Sequence, residues 1–346
     1  MELTKSLVDK KHLFTKCAIC EHIFVEGDPN PRNEEHIIPE FLGGKLKIGM
    51  LCKVCNNQMG GGFEDRLAKS FLVKMYADQY QIIGKSRKIP KSPLVGDYKH
   101  NQKTISLDRD YKPITQYSME CIENDDQSIT FSGSIDASNR EQEKAKLVKQ
   151  MARSFKKKGI IVDEDKIYKQ VSEIVDNAPI IEEKPTLHKT ITVDYNDINL
   201  LLLKIAYETL CIHFGESITN DEYFQGWRAS LKTQTINQSV QMGNQSFFDF
   251  LKSFKTSGLP LAQTAQIFNF KEFEEGKNKD NILIILTSFA IFVRCMNFWG
   301  AFKINKKSPM CLYEHSLAEQ KFSVYEDDDF LTRCVDLKKL TMLSPF

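Results

Sequence analysis

Two Cys-x-x-Cys pairs, Cys17/Cys20 and Cys52/Cys55, constrain this chain more than any other feature. Thiolates two residues apart grip one side of a tetrahedral ion from a tight knuckle, and a second pair closes the shell. Four sulfurs leave no position for water, so the ion is expected to be a structural Zn²⁺. The surrounding segment is rich in Gly, Pro and Asn and lacks apolar periodicity. A module of that size buries too little apolar surface to fold unaided, and a metal supplies the missing energy. The 31 residues between the pairs exceed ordinary zinc-ribbon spacing and leave room for an inserted hairpin.

That insertion contains Glu34-Glu35-His36-Ile37-Ile38-Pro39 and Leu42-Gly43-Gly44, and Asn56-Asn57 follow the last cysteine. Hydrolysis of a phosphodiester needs an activated water and a cation to absorb charge on the phosphate. A histidine takes a proton near neutrality, and a hard divalent ion such as Mg²⁺ prefers carboxylate and amide oxygens. Glu35, His36 and Asn56 match that set of parts. A zinc deaminase, which also joins Cys-x-x-Cys to a histidine, requires His-x-Glu and Pro-Cys-x-x-Cys. Here Ile37 and Ile38 follow His36 and Leu51 precedes Cys52, which excludes it.

In this order the motifs resemble the HNH (ββα-metal) nuclease family, specifically its zinc-stapled, endonuclease VII-like branch, over about residues 15–70. The resemblance implies Glu35 and Asn56 as ligands of a catalytic Mg²⁺ or Mn²⁺ and His36 as general base. It also implies DNA as substrate, double-stranded DNA favoured over RNA, with 5′-phosphate and 3′-hydroxyl products. Glu35 stands where most relatives carry Asp. The middle Asn of the pattern has no counterpart in Lys45-Leu46-Lys47-Ile48-Gly49-Met50. Glu34 and Asn57 are adjacent substitutes as ligands. Glu64 and Asp65 are expected to cap the following helix, and His12 and His22 to be surface residues.

The expected fold class is α+β: a small zinc-stapled nuclease module over 1–82, then a larger mixed α+β domain over 83–346. Helices are expected over Phe63–Tyr80, to about Lys158 after Ser138, over Glu164–Asp176, over Ile198–Phe214 with Asp197 as N-cap, and over Asp221–Leu231. Strands are expected at Thr104–Leu107, Thr115–Ile122, Ser128–Ser134, Thr186–Val193, Ile282–Leu286 and Phe289–Val293. The net charge of +1 gives no global signal for nucleic acid. Local basic patches do: Lys85, Arg87 and Lys88 near the boundary, and Lys149, Arg153 and Lys156 on one helix are candidate DNA-backbone contacts.

No apolar run reaches the ~20 residues of a membrane span. The opening residues do not resemble a signal peptide, and nine cysteines without one argue for a reducing, cytoplasmic setting. Cys121, Cys211, Cys295, Cys311 and Cys334 are expected as buried packing residues. The functional expectation is a DNA endonuclease, restrained by its larger domain through a ligand, a regulatory protein subunit or a homodimer. Bacterial anti-phage effectors and restriction enzymes share that layout. The competing class is a non-catalytic zinc module that binds nucleic acid or a protein.

Overall fold

The structure, a computed structural model, describes residues 14–84, 91–100, 103–116, 118–125, 128–182, 184–244, 246, 280–308 and 310–334. Lys85, Arg87, Lys88 and His12 lie outside them. The helices are α1 (Lys53–Gly60), α2 (Phe63–Lys69), α3 (Phe71–Gln79), α4 (Arg140–Lys157), α5 (Glu164–Asn177), α6 (Tyr195–Phe214), α7 (Gln225–Thr233) and α8 (Asp327–Cys334). The first strands are β1 (Arg32–His36), β2 (Lys47–Cys52), β3 (Gly96–His100), β4 (Lys103–Leu107), β5 (Pro113–Thr115), β6 (Ser118–Glu123) and β7 (Ile129–Ser134). Then follow β8 (Met242–Gly243), β9 (Ile282–Leu286), β10 (Ala290–Cys295), β11 (Phe298–Lys303), β12 (Cys311–Ser316) and β13 (Lys321–Glu326).

The chain divides into two compact units that do not follow linear order: Met1–Pro90 with Thr192–Phe346, and Lys91–Ile191. Residues 192–346 thus share a unit with the N-terminal segment, whereas the sequence reading grouped them with 91–191. In the first unit β1 and β2 form an antiparallel hairpin, and a six-stranded antiparallel sheet runs β13-β12-β9-β10-β11-β8. Helix α6 lies between them, touching α2 on one side and β10 and β11 on the other. Every residue from Leu200 to Ile212 is buried, as the apolar run on more than one of its faces requires. The second unit holds β3-β4-β5, the β6-β7 hairpin and the α4–α5 pair, the last with a small apolar cluster around Val148, Ile167, Val171 and Val175.

Glycine is required where backbone or side chain approaches closely. A Cβ on Gly44 would stand 1.7 Å from the Ile38 carbonyl oxygen, so the Leu42-Gly43-Gly44 turn closes only without one. At Gly62 a Cβ would meet the Gln234 amide at 2.1 Å. That amide accepts from the Phe63 N–H and donates to the Gln58 carbonyl, both at 2.9 Å, bridging the α1–α2 turn.

Several local expectations are corrected. The single helix over Phe63–Tyr80 is two, because Ser70 takes an extended backbone and its hydroxyl accepts from the Val73 N–H at 3.3 Å. Asp194, not Asp197, caps α6, accepting from the Asn196 and Asp197 N–H groups. The described residues of 186–193 form no strand; most are exposed, and they pair with no described strand. Cys211, Cys295 and Cys311 are buried, but Cys121 is exposed on the open β6-β7 hairpin, and the Cys334 side chain is outside the described residues. Gly62 precedes α2 with no side-chain cap, and Asp65 instead pairs with Lys69 at 2.7 Å.

Freed from capping, Asp197 turns to α2. Its carboxylate, 3% exposed, takes a two-pronged contact from Arg66, Nε at 2.8 Å and Nη2 at 2.6 Å. Charge-assisted bonds to a desolvated group are among the stronger polar contributions to folding. Asp197→Ala is expected to cost about 2 kcal/mol in denaturant unfolding, whereas loss of the exposed Asp65–Lys69 pair should change little.

Candidate nuclease and zinc site

Cys17 and Cys20 sit on a tight turn in which the Cys17 N–H donates to the His22 carbonyl and the Glu21 N–H to the Cys17 carbonyl. Glu21 there takes a φ of 62°. Cys52 ends β2 and precedes α1, and Cys55 lies in the first turn of that helix. The four ligand atoms lie within 4.8 Å of one another, and Cys20 and Cys52 sulfurs are 3.6 Å apart. Zn–S bonds of ~2.3 Å in a tetrahedron give sulfur pairs roughly 3.8 Å apart. The arrangement fits that ion. Backbone N–H groups of Cys52 and Cys55 donate to the Cys17 and Cys52 sulfurs at 3.3 and 3.4 Å, contacts that favour thiolate.

Without an ion the packed thiols compete for protons. The hydrogen bond from Cys55 holds Cys17 down to about 5, while burial pushes Cys20 up to about 11. Cys55 is driven further up, first by its bond to Cys17 and then by burial. A divalent cation removes this conflict by stabilising all four thiolates together.

The hairpin carries the other chemistry. Exposure alternates along β1: Arg32 and Glu34 are exposed, Glu35 is buried, and His36 is half-buried. β2 spends one extra residue at Gly49–Met50 opposite Glu34, a bulge that restores register for His36 opposite Lys47. α1 is tied back to β1 and the two residues before it by three bonds. The Lys53 N–H donates to the Pro31 carbonyl at 2.9 Å, the Val54 N–H to Asn30 Oδ1 at 2.9 Å, and Asn56 Nδ2 to the Glu34 carbonyl at 3.1 Å. With its NH₂ spent on Glu34, the Asn56 amide has its Oδ1 as the acceptor for a cation. Asn56 is thereby tethered two residues from His36.

Glu35 turns inward onto Lys204 of α6. That ammonium has no exposed surface and lies 2.7 Å from Glu35, 3.1 Å from Glu64 and 3.3 Å from Glu208. It also donates to the His36 carbonyl at 2.6 Å. Burial opposes the lysine charge, but the Glu208, Glu64 and Glu35 carboxylates outweigh it and keep the ammonium protonated. Burial lifts Glu208 well above the usual carboxylate range, which reduces the negative charge one ammonium must balance. Glu35 and Asn56 are oxygen donors of the kind a hard divalent ion takes, and Glu35 would share its carboxylate between that ion and Lys204.

The cysteines come together as a set, and Asn56 is bonded to the strand that carries Glu35 and His36. Lys149, Arg153 and Lys156 stand exposed on α4, in the other unit. His22 bonds Asp28 at 2.6 Å. Sequence reasoning missed Lys204, Glu208 and the inward role of Glu64. A signal existed: Lys204 and Glu208 are one helical turn apart inside the run from Leu200 to Leu210, where charges persist only when paired.

Two outcomes follow. The protein is expected to carry one zinc per chain by elemental analysis, with Cys17→Ser and Cys52→Ser each losing the metal and lowering the melting temperature. Lys204→Met, which strands buried carboxylates, should cost about 3–5 kcal/mol in unfolding experiments, whereas Glu208→Gln, close in shape to a protonated glutamic acid, should be tolerated.

The family model for HNH endonuclease matches residues 17–72. No curated protein and no solved structure matches the chain. The matched segment begins at the first zinc-type cysteine and runs through the hairpin, α1 and α2 into the start of α3. Residues 17–72 are therefore similar to the HNH endonuclease family.

Proposed function

We propose that the protein is a metal-dependent endonuclease that hydrolyses phosphodiester bonds of double-stranded DNA, with a structural Zn²⁺ at Cys17, Cys20, Cys52 and Cys55. The observation that carries this reading is the tether of Asn56 to β1, which holds its amide beside the strand bearing Glu35 and His36. The cysteine staple favours the endonuclease VII-like branch among HNH enzymes.

A bound Mg²⁺ or Mn²⁺ would polarise the phosphate and offset charge on the leaving oxygen. Glu35 and Asn56 would hold it through their oxygens. His36 takes the proton from the attacking water, a role suited to an imidazole with a solvent-facing edge. Lys204 fixes both neighbours on β1 at once, Glu35 through its carboxylate and His36 through its carbonyl. Residues beyond 82 would restrain or direct cleavage, with a regulatory subunit or a second copy as the natural partner, in the manner of a restriction or anti-phage effector.

His36→Ala is expected to lower the rate of cleavage of supercoiled plasmid by about 10²–10⁴, with zinc content and melting temperature unaltered. Mild EDTA should stop cleavage by the unaltered protein, and Mg²⁺ or Mn²⁺ should restore it. Cleavage that survives His36→Ala would remove the proposed base, and the absence of any metal-dependent nicking would favour a non-catalytic zinc module.

A further inference from the structure

Helix α4 of the second unit has a face that the nuclease chemistry leaves unused. Its inner side is locked: Val148 packs with Ile167, Val171 and Val175 of α5, flanked by Leu147, Met151, Ala152 and Phe155. Phe155 also meets the Phe131 ring edge-on at 5.4 Å. At 100° per residue, Lys146, Lys149, Arg153, Lys156 and Lys157 then fall within an arc of about 100° on the opposite side. All five are exposed. The one other α4 residue on that arc, Gln142, carries no charge.

The acids on and around the helix serve other cations. Glu141 and Asp176 hold Lys144, Glu143 holds Lys146, and Glu123 holds Lys158. Among the described residues Lys149, Arg153, Lys156 and Lys157 make no ion pair. Four unbalanced positive charges on one helix face are a local excess in a chain whose net charge is only +1. A face that merely keeps a protein soluble mixes both signs. From Lys149 to Lys157 the four span about 12 Å along the axis, at 1.5 Å per residue. That is roughly a third of a ~34 Å duplex turn, along which phosphate charge recurs every ~1.7 Å of axis.

We propose that the outer face of α4 is an anchor for the phosphate backbone of duplex DNA, independent of base sequence. The proposal rests on the nucleic-acid substrate inferred for the HNH domain and gives the second unit a binding role of its own. Lysines contribute as point charges, and Arg153 at the centre of the stripe can engage a phosphate with two N–H groups.

The test is fluorescence anisotropy of the full chain on a labelled duplex of arbitrary sequence, without added divalent ion, over a range of salt. Lys149→Gln/Arg153→Gln/Lys156→Gln alters only exposed side chains and leaves the α5-facing side intact. It is expected to weaken binding at least tenfold near physiological salt and to reduce the slope of log K against log salt by about 2–3. Arg153→Lys should retain the slope. Lys166→Gln/Lys169→Gln, exposed on α5, should leave it unaltered. A triple variant that binds with the original slope overturns the anchor and leaves the nuclease reading standing, since that reading is judged by the His36 variant. A slope lost equally in the α5 pair also overturns it, because diffuse charge would then be responsible. If the unaltered chain binds no duplex even at low salt, the anchor and the DNA-substrate reading fall together.

Discussion

A lysine ammonium with no exposed surface is costly to place in a protein interior unless its charge is matched, and Lys204 is matched from three elements at once. Glu35 comes from β1, Glu64 from α2 and Glu208 from the next turn of α6 itself. Such a contact tolerates little sliding. Translating α6 by a turn against the hairpin would strand the ammonium and the carboxylates together. The apolar residues around it, from Leu200 to Leu210, favour burial of α6 but are indifferent to its exact position. The charged cluster supplies the directional constraint that the apolar contacts lack.

The hairpin is therefore held at two ends by different physics. At one end the four sulfurs can close around an ion and join the knuckle at Cys17 to the β2–α1 junction at Cys52. At the other, Lys204 grips the end of β1 through a side chain and a backbone carbonyl. Between them lies the bulge at Gly49–Met50 and the bond from Asn56 to Glu34. The proposed chemistry would gain from a hairpin fixed on both sides, since small displacements of a reacting group are expensive in rate. The same design makes α6 part of the support of the hairpin.

The second unit follows a different plan. Its α4–α5 pair buries a short apolar seam, Val148 against Ile167, Val171 and Val175 with Leu147, Met151, Ala152 and Phe155 alongside, and the opposite side of α4 carries charged side chains. A large share of its surface residues are polar strands and open hairpin, with Ile161, Ile180 and Ile181 exposed beyond the helix ends. The unit thus has enough apolar contact to orient α4, and orientation is what turns a lysine-rich segment into a face of one sign.

What the amino-acid order determined was local and chemical. The cysteine spacing specified a four-sulfur cluster, because thiols two residues apart on a turn can meet an ion only one way. A continuous apolar run broken at Thr287-Ser288 pointed to β9 and β10, and 3.6-residue apolar spacing pointed to α4 and α5. The Glu-His dyad and the Asn after the last cysteine named the candidate chemistry. Tertiary structure decided what those groups touch. Asp197 looked like a cap and became the partner of Arg66; Glu64 looked like a helix-start acid and turned to Lys204; Ser70 broke a helix that apolar spacing had continued. The Ser70 break is local, a hydroxyl cap on the Val73 N–H, whereas the Asp197 and Glu64 contacts each depend on a residue 100 or more positions away. The grouping of residues 192–346 with the HNH segment is of the same kind. Long-range pairing of buried charges leaves no periodic trace in a sequence, only the anomaly of a lysine and a glutamate one turn apart in an apolar helix.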